Sequence, residues 1–284
     1  MKLTTKNFSF LLIILLSFAI FSYKIVSPLE KHNFLVHFID VGQGDSILIQ
    51  ANNKNLLIDS GTEDSIDHLV KYLKKSKVKK LDYIIATHPH ADHIGGMNVI
   101  IDKFNVGSFF APKVSHTNES FKSMITSLKN KNLPINILNS KKDISIDLGK
   151  NTNIKILAPT DKDYENINNY SPIIKIYYGK TSFLFTGDAE EELENEVLSE
   201  NFILKANVLK IGHHGSNTST SEEFLKEIQP QVAIISAGLD NSYGHPNYIT
   251  LQKLNDNNVR VLRTDEDGTI VISSNGNNIN VLNH

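Results

Sequence analysis

Within THPHADHIGG (87–96), the imidazoles of His88, His90 and His93 and the carboxylate of Asp92 fall inside six residues. Imidazole and carboxylate are common ligands of catalytic divalent metals. Alternate residues of an extended loop share a side, so His88 and His90 can aim at one point. Asp92 and His93 are adjacent, at the expected first turn of a helix, and can aim at a second point. One loop then serves two metal ions. Hydrolytic metal pairs sit roughly 3.5–4 Å apart and clamp the attacking and leaving oxygens. The chain has no cysteine, which excludes disulfides and thiolate-bound zinc. A set of imidazoles and carboxylates suits Zn or Mn, and the residue types do not choose between them.

The elements that must position this loop follow from periodicity. FLVHFID (34–40), SILIQ (46–50) and NLLID (55–59) read as strands joined by Gly/Asn turns. Ile66, Leu69, Val70 and Leu73 share one helical face. LDYIIAT (81–87) is a strand that feeds the histidine loop, and a helix is expected over 95–103. A helix carries Phe121, Met124, Ile125 and Leu128. Strands are expected at 153–158, 172–178, 181–186, 207–211, 231–237, 259–263, 269–273 and 277–282, and helices near 189–199, 221–228 and 249–256. Hairpins with helices between them predict two mixed sheets packed together, with helices outside. No linker divides 34–284.

The formal net charge of −2 gives no global attraction to a polyanion. The lysine-rich stretch 71–80 reads as a solvated helix end. The N-terminus is different. Lys2 and Lys6 precede an uncharged apolar run over 8–23, with Lys24 after it. This pattern predicts a membrane segment and linker over 1–33. With no clear small-x-small cleavage site, it reads as an uncleaved signal-anchor. Positive-inside logic puts Lys2 and Lys6 in the cytoplasm and residues 34–284 outside, or secreted if the segment is cleaved.

THPHADHIGG resembles the HxHxDH signature of the metallo-β-lactamase fold superfamily. FIDVGQGDSILI (38–49), LLIDSG (56–61), LFTGDA (184–189), LKIGHHGS (209–216) and NSYGHP (241–246) resemble the hydrolase-like domain of ComEC-type competence proteins, in the expected order. The resemblance implies an α+β fold, a four-layer αββα sandwich, with the metal site at one edge. It makes Asp188 the carboxylate bridging two divalent ions; on the residues alone Asp188 also suits a helix N-cap. It makes His213 or His214 the residue completing the second position with Asp92, His93 and Asp188. The first position lacks the third histidine found in many members. His116 is the single histidine in that interval, and the other of His213 and His214 is a substitute.

By the same resemblance, Asp59 orients His88 or His90. Asp40, Gln43 and Asp45 lie in a loop expected to abut the site, or are hairpin residues only. Lys210, Ser216, Asn217, Tyr243 and His245 are the expected substrate wall. Asp92 and His245 are the expected catalytic residues, His245 binding phosphate or moving a proton. The implied activity is hydrolysis of phosphodiesters, DNA among them, through a hydroxide held between the metals. Small esters, thioesters, lactones and phosphorylcholine-type substrates are the alternatives, as is a partner-binding module that holds metal without catalysis.

Overall fold

The strand-forming runs of the first half build β1 (Phe34–Phe38), β2 (Ile47–Ala51) and β3 (Lys54–Ile58), an antiparallel meander. Asn52 and Asn53 turn the second hairpin with φ of 50° and 64°, as a two-residue hairpin loop demands. The computed structural model describes residues 34–142 and 145–282. The expected signal-anchor over 1–33 lies outside the described residues. Among the described residues no helix is long and apolar enough to cross a membrane.

The chain then changes to parallel pairing, which needs crossovers. Helix α1 (Ile66–Lys75) connects β3 to β4 (Lys80–Ile85) and buries Leu69, Val70 and Leu73, three of the residues whose spacing predicted it. A short α2 (Ala91–Ile94) and α3 (Met97–Lys103) lead to β5 (Asn105–Ala111). Helix α4 (Glu119–Asn130) leads to β6 (Ile135–Ile137). It starts where the Asn118 side chain accepts the Phe121 N–H, one of the donors a helix start leaves unpaired.

The second half repeats the scheme. β7 (Thr152–Ala158), β8 (Ile173–Tyr178) and β9 (Thr181–Phe185) are antiparallel. β10 (Val208–Lys210), β11 (Val232–Ile235) and β12 (Arg260–Arg263) add in parallel. Their crossovers are α5 (Glu191–Ser199), α6 (Glu222–Ile228) and α7 (Tyr248–Asp256). After α8 (Thr264–Asp267), β13 (Ile270–Ser274) returns to pair with β1, and β14 (Ile279–Leu282) follows it. The result is an eight-stranded sheet, β14-β13-β1-β2-β3-β4-β5-β6, and a six-stranded sheet, β12-β11-β10-β9-β8-β7.

Three apolar clusters define the layers. Phe34, Phe38, Ile49 and Ile58 of one sheet meet Ile174, Ile176, Phe183 and Phe185 of the other. Leu69, Leu73, Ile100 and Met124 cover the outer face of the first sheet. Leu193, Val197, Phe224, Ile228 and Leu254 cover that of the second. This is the expected αββα sandwich. Truncating a fully buried phenylalanine between the sheets, such as Phe183, costs about 3–5 kcal/mol through lost burial and the cavity left.

The structure adds β5, β6 and α8 to the elements read from the sequence. Gly107 interrupts the strand pattern of β5; a Cβ there would stand 2.4 Å from the Asp82 carbonyl oxygen of the neighbouring strand. The glycine is therefore a close approach between strands rather than a break. Asp59, His88, Asp188 and the His213-His214 pair each follow the carboxyl end of a parallel-paired strand, namely β3, β4, β9 and β10. In α/β sheets that edge is where ligands gather.

Candidate metal centre

The histidine loop runs from β4 into α2. His88 and His93 are buried and His90 is half-buried. Nε2 of His88 and Nδ1 of His90 converge to 2.9 Å. Asp188 Oδ2 lies 3.7 Å from His88 Nε2 and 3.2 Å from His93 Nε2. His214 Nε2 lies 3.3 Å from Asp92 Oδ2 and 3.5 Å from Asp188 Oδ1. Two ligand sets result, His88-His90-Asp188 and Asp92-His93-Asp188-His214, each with its ligand atoms within 4.8 Å of one another. Asp188 belongs to both.

The backbone of this corner is held from several elements. A Cβ on Gly44 would meet the Asp92 carbonyl oxygen at 2.2 Å, and the Asp45 N–H donates to that oxygen at 3.2 Å. The loop after β1 thus packs on the metal loop through a position that tolerates no side chain. Asp59, itself at φ 57°, accepts the Thr87 N–H at 2.8 Å and the Thr87 hydroxyl at 2.6 Å. Its Oδ2 lies 2.8 Å from His93 Nδ1. His213 and His214 have φ of 48° and 54°, and Gly215 follows at 85°. Non-glycine residues reach this left-handed region at a cost, and such outliers cluster at functional sites. The buried Glu194 pins the far end of this turn by accepting the N–H groups of Thr220 and Ser221 at 2.5 and 2.8 Å.

Burial pushes His88 well below the ordinary imidazole value, and the neighbouring His93 adds to this. His88 is therefore held as a neutral ring, the form that can ligate a metal. For His93 and His214 burial works the same way, but the carboxylates outweigh it. Asp188, Asp92 and Asp59 hold His93 well above its usual value. Asp188, Asp92 and Asp45 raise His214 to about 10. Burial opposes ionisation of Asp188, yet His93 and His214 keep it well below the carboxylate range. Without an ion, protons on His93 and His214 compensate the buried carboxylates. A divalent cation fits the same place. His93 Nε2, His214 Nε2 and Asp188 Oδ1 are buried and make no well-directed hydrogen bond, only contacts of 3.2–3.5 Å within the second ligand set. Buried polar atoms without partners are rare and call for an ion or water. Nitrogen and oxygen donors of this kind fit a borderline divalent metal.

The structure divides the two adjacent histidines. His214 is buried, enters the ligand set, and fixes its ring through Nδ1, 2.9 Å from the Ser236 carbonyl oxygen. His213 is part-exposed, with Nε2 3.8 Å from Asp188 Oδ2 and Nδ1 3.2 Å from Glu190 Oε1. His116 joins neither set; its ring centroid stays 6.3 Å from that of His90, and its Nδ1 accepts the Asn118 N–H. The N-cap position of α5 is Glu190, with no side-chain cap bond, and not Asp188.

A cleft of about 510 Å³ opens over this corner, lined by Gln43, Thr62, His90, Asp92, Asp188, His213, His214, Tyr243 and His245 among others. Tyr243 and His245 thus stand on the expected wall. Lys210 does not. It is fully buried beneath the site, ion-paired with Asp45 Oδ2 at 2.9 Å, because the end of β10 turns it inward. Ser216 is buried, its hydroxyl 3.0 Å from that of Thr218. Asn217 is exposed and is not among the residues lining the cleft. Asp59 contacts His93 rather than His88 or His90. Of the loop after β1, Gln43 reaches the cleft and Asp45 lies 3.6 Å from His214 Nδ1, while Asp40 accepts the Gly42 N–H in its own turn and donates its N–H to Thr269 Oγ1. Two residues in contact with the site had no sequence signal. The Ser171 hydroxyl lies 3.2 Å from His88 Nδ1 and accepts the Asp188 N–H. Glu190, beside His213, is one acidic residue among several in that stretch.

The metallo-beta-lactamase superfamily model matches residues 39–238. ComE operon protein 3 of Bacillus subtilis is 34% identical over 253 residues, 83% of this chain and 32% of that protein. Recombination protein 2 of Haemophilus influenzae is 31% identical over 266 residues, 92% of this chain and 31% of that protein. The chain spans about a third of the length of these curated relatives. The crystal structure of the metallo-beta-lactamase fold protein YhfI from Bacillus subtilis superposes with a TM-score of 0.56, covering 84% of this chain and 98% of that one at 11% identity.

Proposed function

The chain belongs to the metallo-β-lactamase superfamily, and on that premise we propose that it is a metal-dependent phosphodiesterase with DNA among its substrates. The observation that carries this reading is the pair of ligand sets meeting on Asp188 at the floor of an open cleft. Two ions, Zn or Mn, would be held by His88, His90 and Asp188 on one side and Asp92, His93, Asp188 and His214 on the other. Divalent ions so placed supply a nucleophilic water at neutral pH and offset charge on the phosphoryl oxygens. The chain's own groups do the rest. Asp59 orients His93, and Ser171 with Thr87 orients His88. His213 and His245 stand on the open side, where a phosphate ester would sit, and either ring can donate to its oxygens. The name of the Haemophilus relative connects it to recombination, which makes DNA the first substrate to test. The segment 1–33 is proposed to anchor a hydrolase domain, 34–284, outside the membrane.

The test is metal analysis of the purified chain beside a hydrolysis screen of linear DNA, small phosphodiesters, esters, thioesters, lactones and phosphorylcholine esters. Up to two Zn or Mn ions and turnover of a phosphodiester are expected, with Asp188→Ala losing both ions. Turnover of carboxylic esters alone would move the chain to an esterase reading. Bound metal with no turnover of any substrate would favour a partner-binding module.

A further inference from the structure

The segment between β11 and α7, with the first turn of α7, leaves large apolar side chains in solvent, and one of them, Tyr243, lines the cleft. Leu239, Tyr243, Tyr248 and Ile249 are 73%, 69%, 75% and 53% exposed. Single exposed apolar residues are ordinary, but a concentration of them at the mouth of a cleft marks a contact surface. The segment is tied down. Asn241 Nδ2 donates to the Gly238 carbonyl at 2.9 Å, and Asn241 Oδ1 accepts the His245 N–H at 3.1 Å. The Asn247 N–H donates to the Gly215 carbonyl at 2.8 Å, and the Gly238 N–H to Gln43 Oε1 at 3.1 Å. Tyr243 is thus presented on a braced loop. Its ring lies nearly parallel to that of His245, centroids 6.0 Å apart and planes at 23°, while most of it stays in solvent. His245 in turn stands 5.5 Å from His213. The aromatic surface therefore runs without a break from the rim to the ligand sets.

The charge of the cleft decides what such a ring can hold. Among the described residues that line it, none is lysine or arginine. Within the cleft a nucleic acid backbone meets no lysine or arginine, so contact there beyond the scissile phosphate is non-ionic. An unpaired base offers a flat π-face for which an exposed tyrosine is the matching partner. A base inside a duplex has both faces taken by its neighbours.

We propose that Tyr243 is a stacking platform for an unpaired nucleobase next to the scissile phosphate, so that the substrate is single-stranded nucleic acid. Tyr248, at the start of α7, is a second exposed tyrosine five residues further along the chain. This inference rests on the phosphodiesterase reading.

The test compares kcat/KM of the metal-loaded full chain on a single-stranded oligonucleotide, an abasic oligonucleotide of the same length, and a duplex. The native protein is expected to prefer the base-bearing single strand over the abasic one by roughly 5- to 100-fold, the range that base–aromatic stacking supplies. Tyr243→Ala should collapse that preference, while Tyr243→Phe and Tyr243→Trp keep it. Cleavage of duplex as fast as single strand, or an unchanged preference in Tyr243→Ala, overturns the inference and leaves the phosphodiesterase reading intact. An equal fall on both single strands also overturns it, since the ring would then serve the phosphate or the loop. Weaker sedimentation of Tyr243→Ala and Tyr248→Ala with zwitterionic lipid vesicles, with base preference intact, would assign the surface to lipid instead. No hydrolysis of any phosphodiester by the native protein overturns both readings together.

Discussion

Asp59 Oδ2 and His93 Nδ1 stand 2.8 Å apart, both side chains wholly buried, at the ends of two different elements. The contact fixes the ring so that Nε2 faces Asp188. A metal-binding histidine held this way keeps its orientation and its basicity. Asp59→Asn should weaken metal binding at the Asp92-His93-His214 set by roughly 10- to 100-fold, with the His88-His90 set less affected. Competition with a chelator of known affinity, read ion by ion, checks this. Equal weakening of both sets would mean that Asp59 supports the loop as a whole through Thr87.

The paired histidines should differ in kind. His214→Ala should lose metal from its set. His213→Ala should keep metal and lose turnover, by roughly 10²–10⁴ if that ring transfers a proton to the leaving group. Metal content and kcat measured on the same preparations separate the two outcomes. Loss of metal in His213→Ala would instead make it the missing ligand of the first set.

Lys210 and Asp45 form an ion pair with side chains 0% and 2% exposed. Removing Lys210 leaves the buried Asp45 without its close counter-charge, His214 Nδ1 standing farther off at 3.6 Å. Lys210→Met should therefore destabilise the protein by about 3–5 kcal/mol, and the double variant Asp45→Asn/Lys210→Met should recover part of that. Denaturant unfolding of the three proteins measures the coupling. A single variant as stable as the native chain would show that the pair adds nothing.

The metal-free protein should lose stability as pH rises from about 6.5 toward 10. His214 is raised from the ordinary value to about 10 in the folded state, so the folded chain binds the extra proton throughout that window. Its contribution is full below the unfolded value and is lost as pH climbs through the folded one. His93, raised in the same direction by Asp188, Asp92 and Asp59 against the pull of burial, adds to the trend. Metal affinity should move the opposite way, rising with pH, because the ion displaces those protons. Urea midpoints of the metal-free chain and metal titrations across this range test both slopes. Midpoints that rise with pH would contradict the protonated histidines.

The local patterns in the chain carry most of the fold and the ligand types. Period-two and period-3.6 runs place β1, β3, α1 and β9 to within a residue or two, since periodicity is a property of neighbouring residues. THPHADH holds four candidate ligands in one loop, so its chemistry is legible without a partner segment. The tertiary structure decides what depends on side-chain direction. His213 and His214 are neighbours of the same type, and the positive-φ turn that sends one into the ligand set and the other to the rim leaves no mark beyond a glycine. Lys210 suited a substrate wall by type, and only the approach of the loop after β1 turns it into the buried partner of Asp45. Ser171 and Asp59 reach their histidines from distant parts of the chain. Such contacts exist only once two sheets have packed and brought the carboxyl ends of β3, β4, β9 and β10 to one edge, because a side chain's partner is set by the closing of the layers rather than by its place in the sequence.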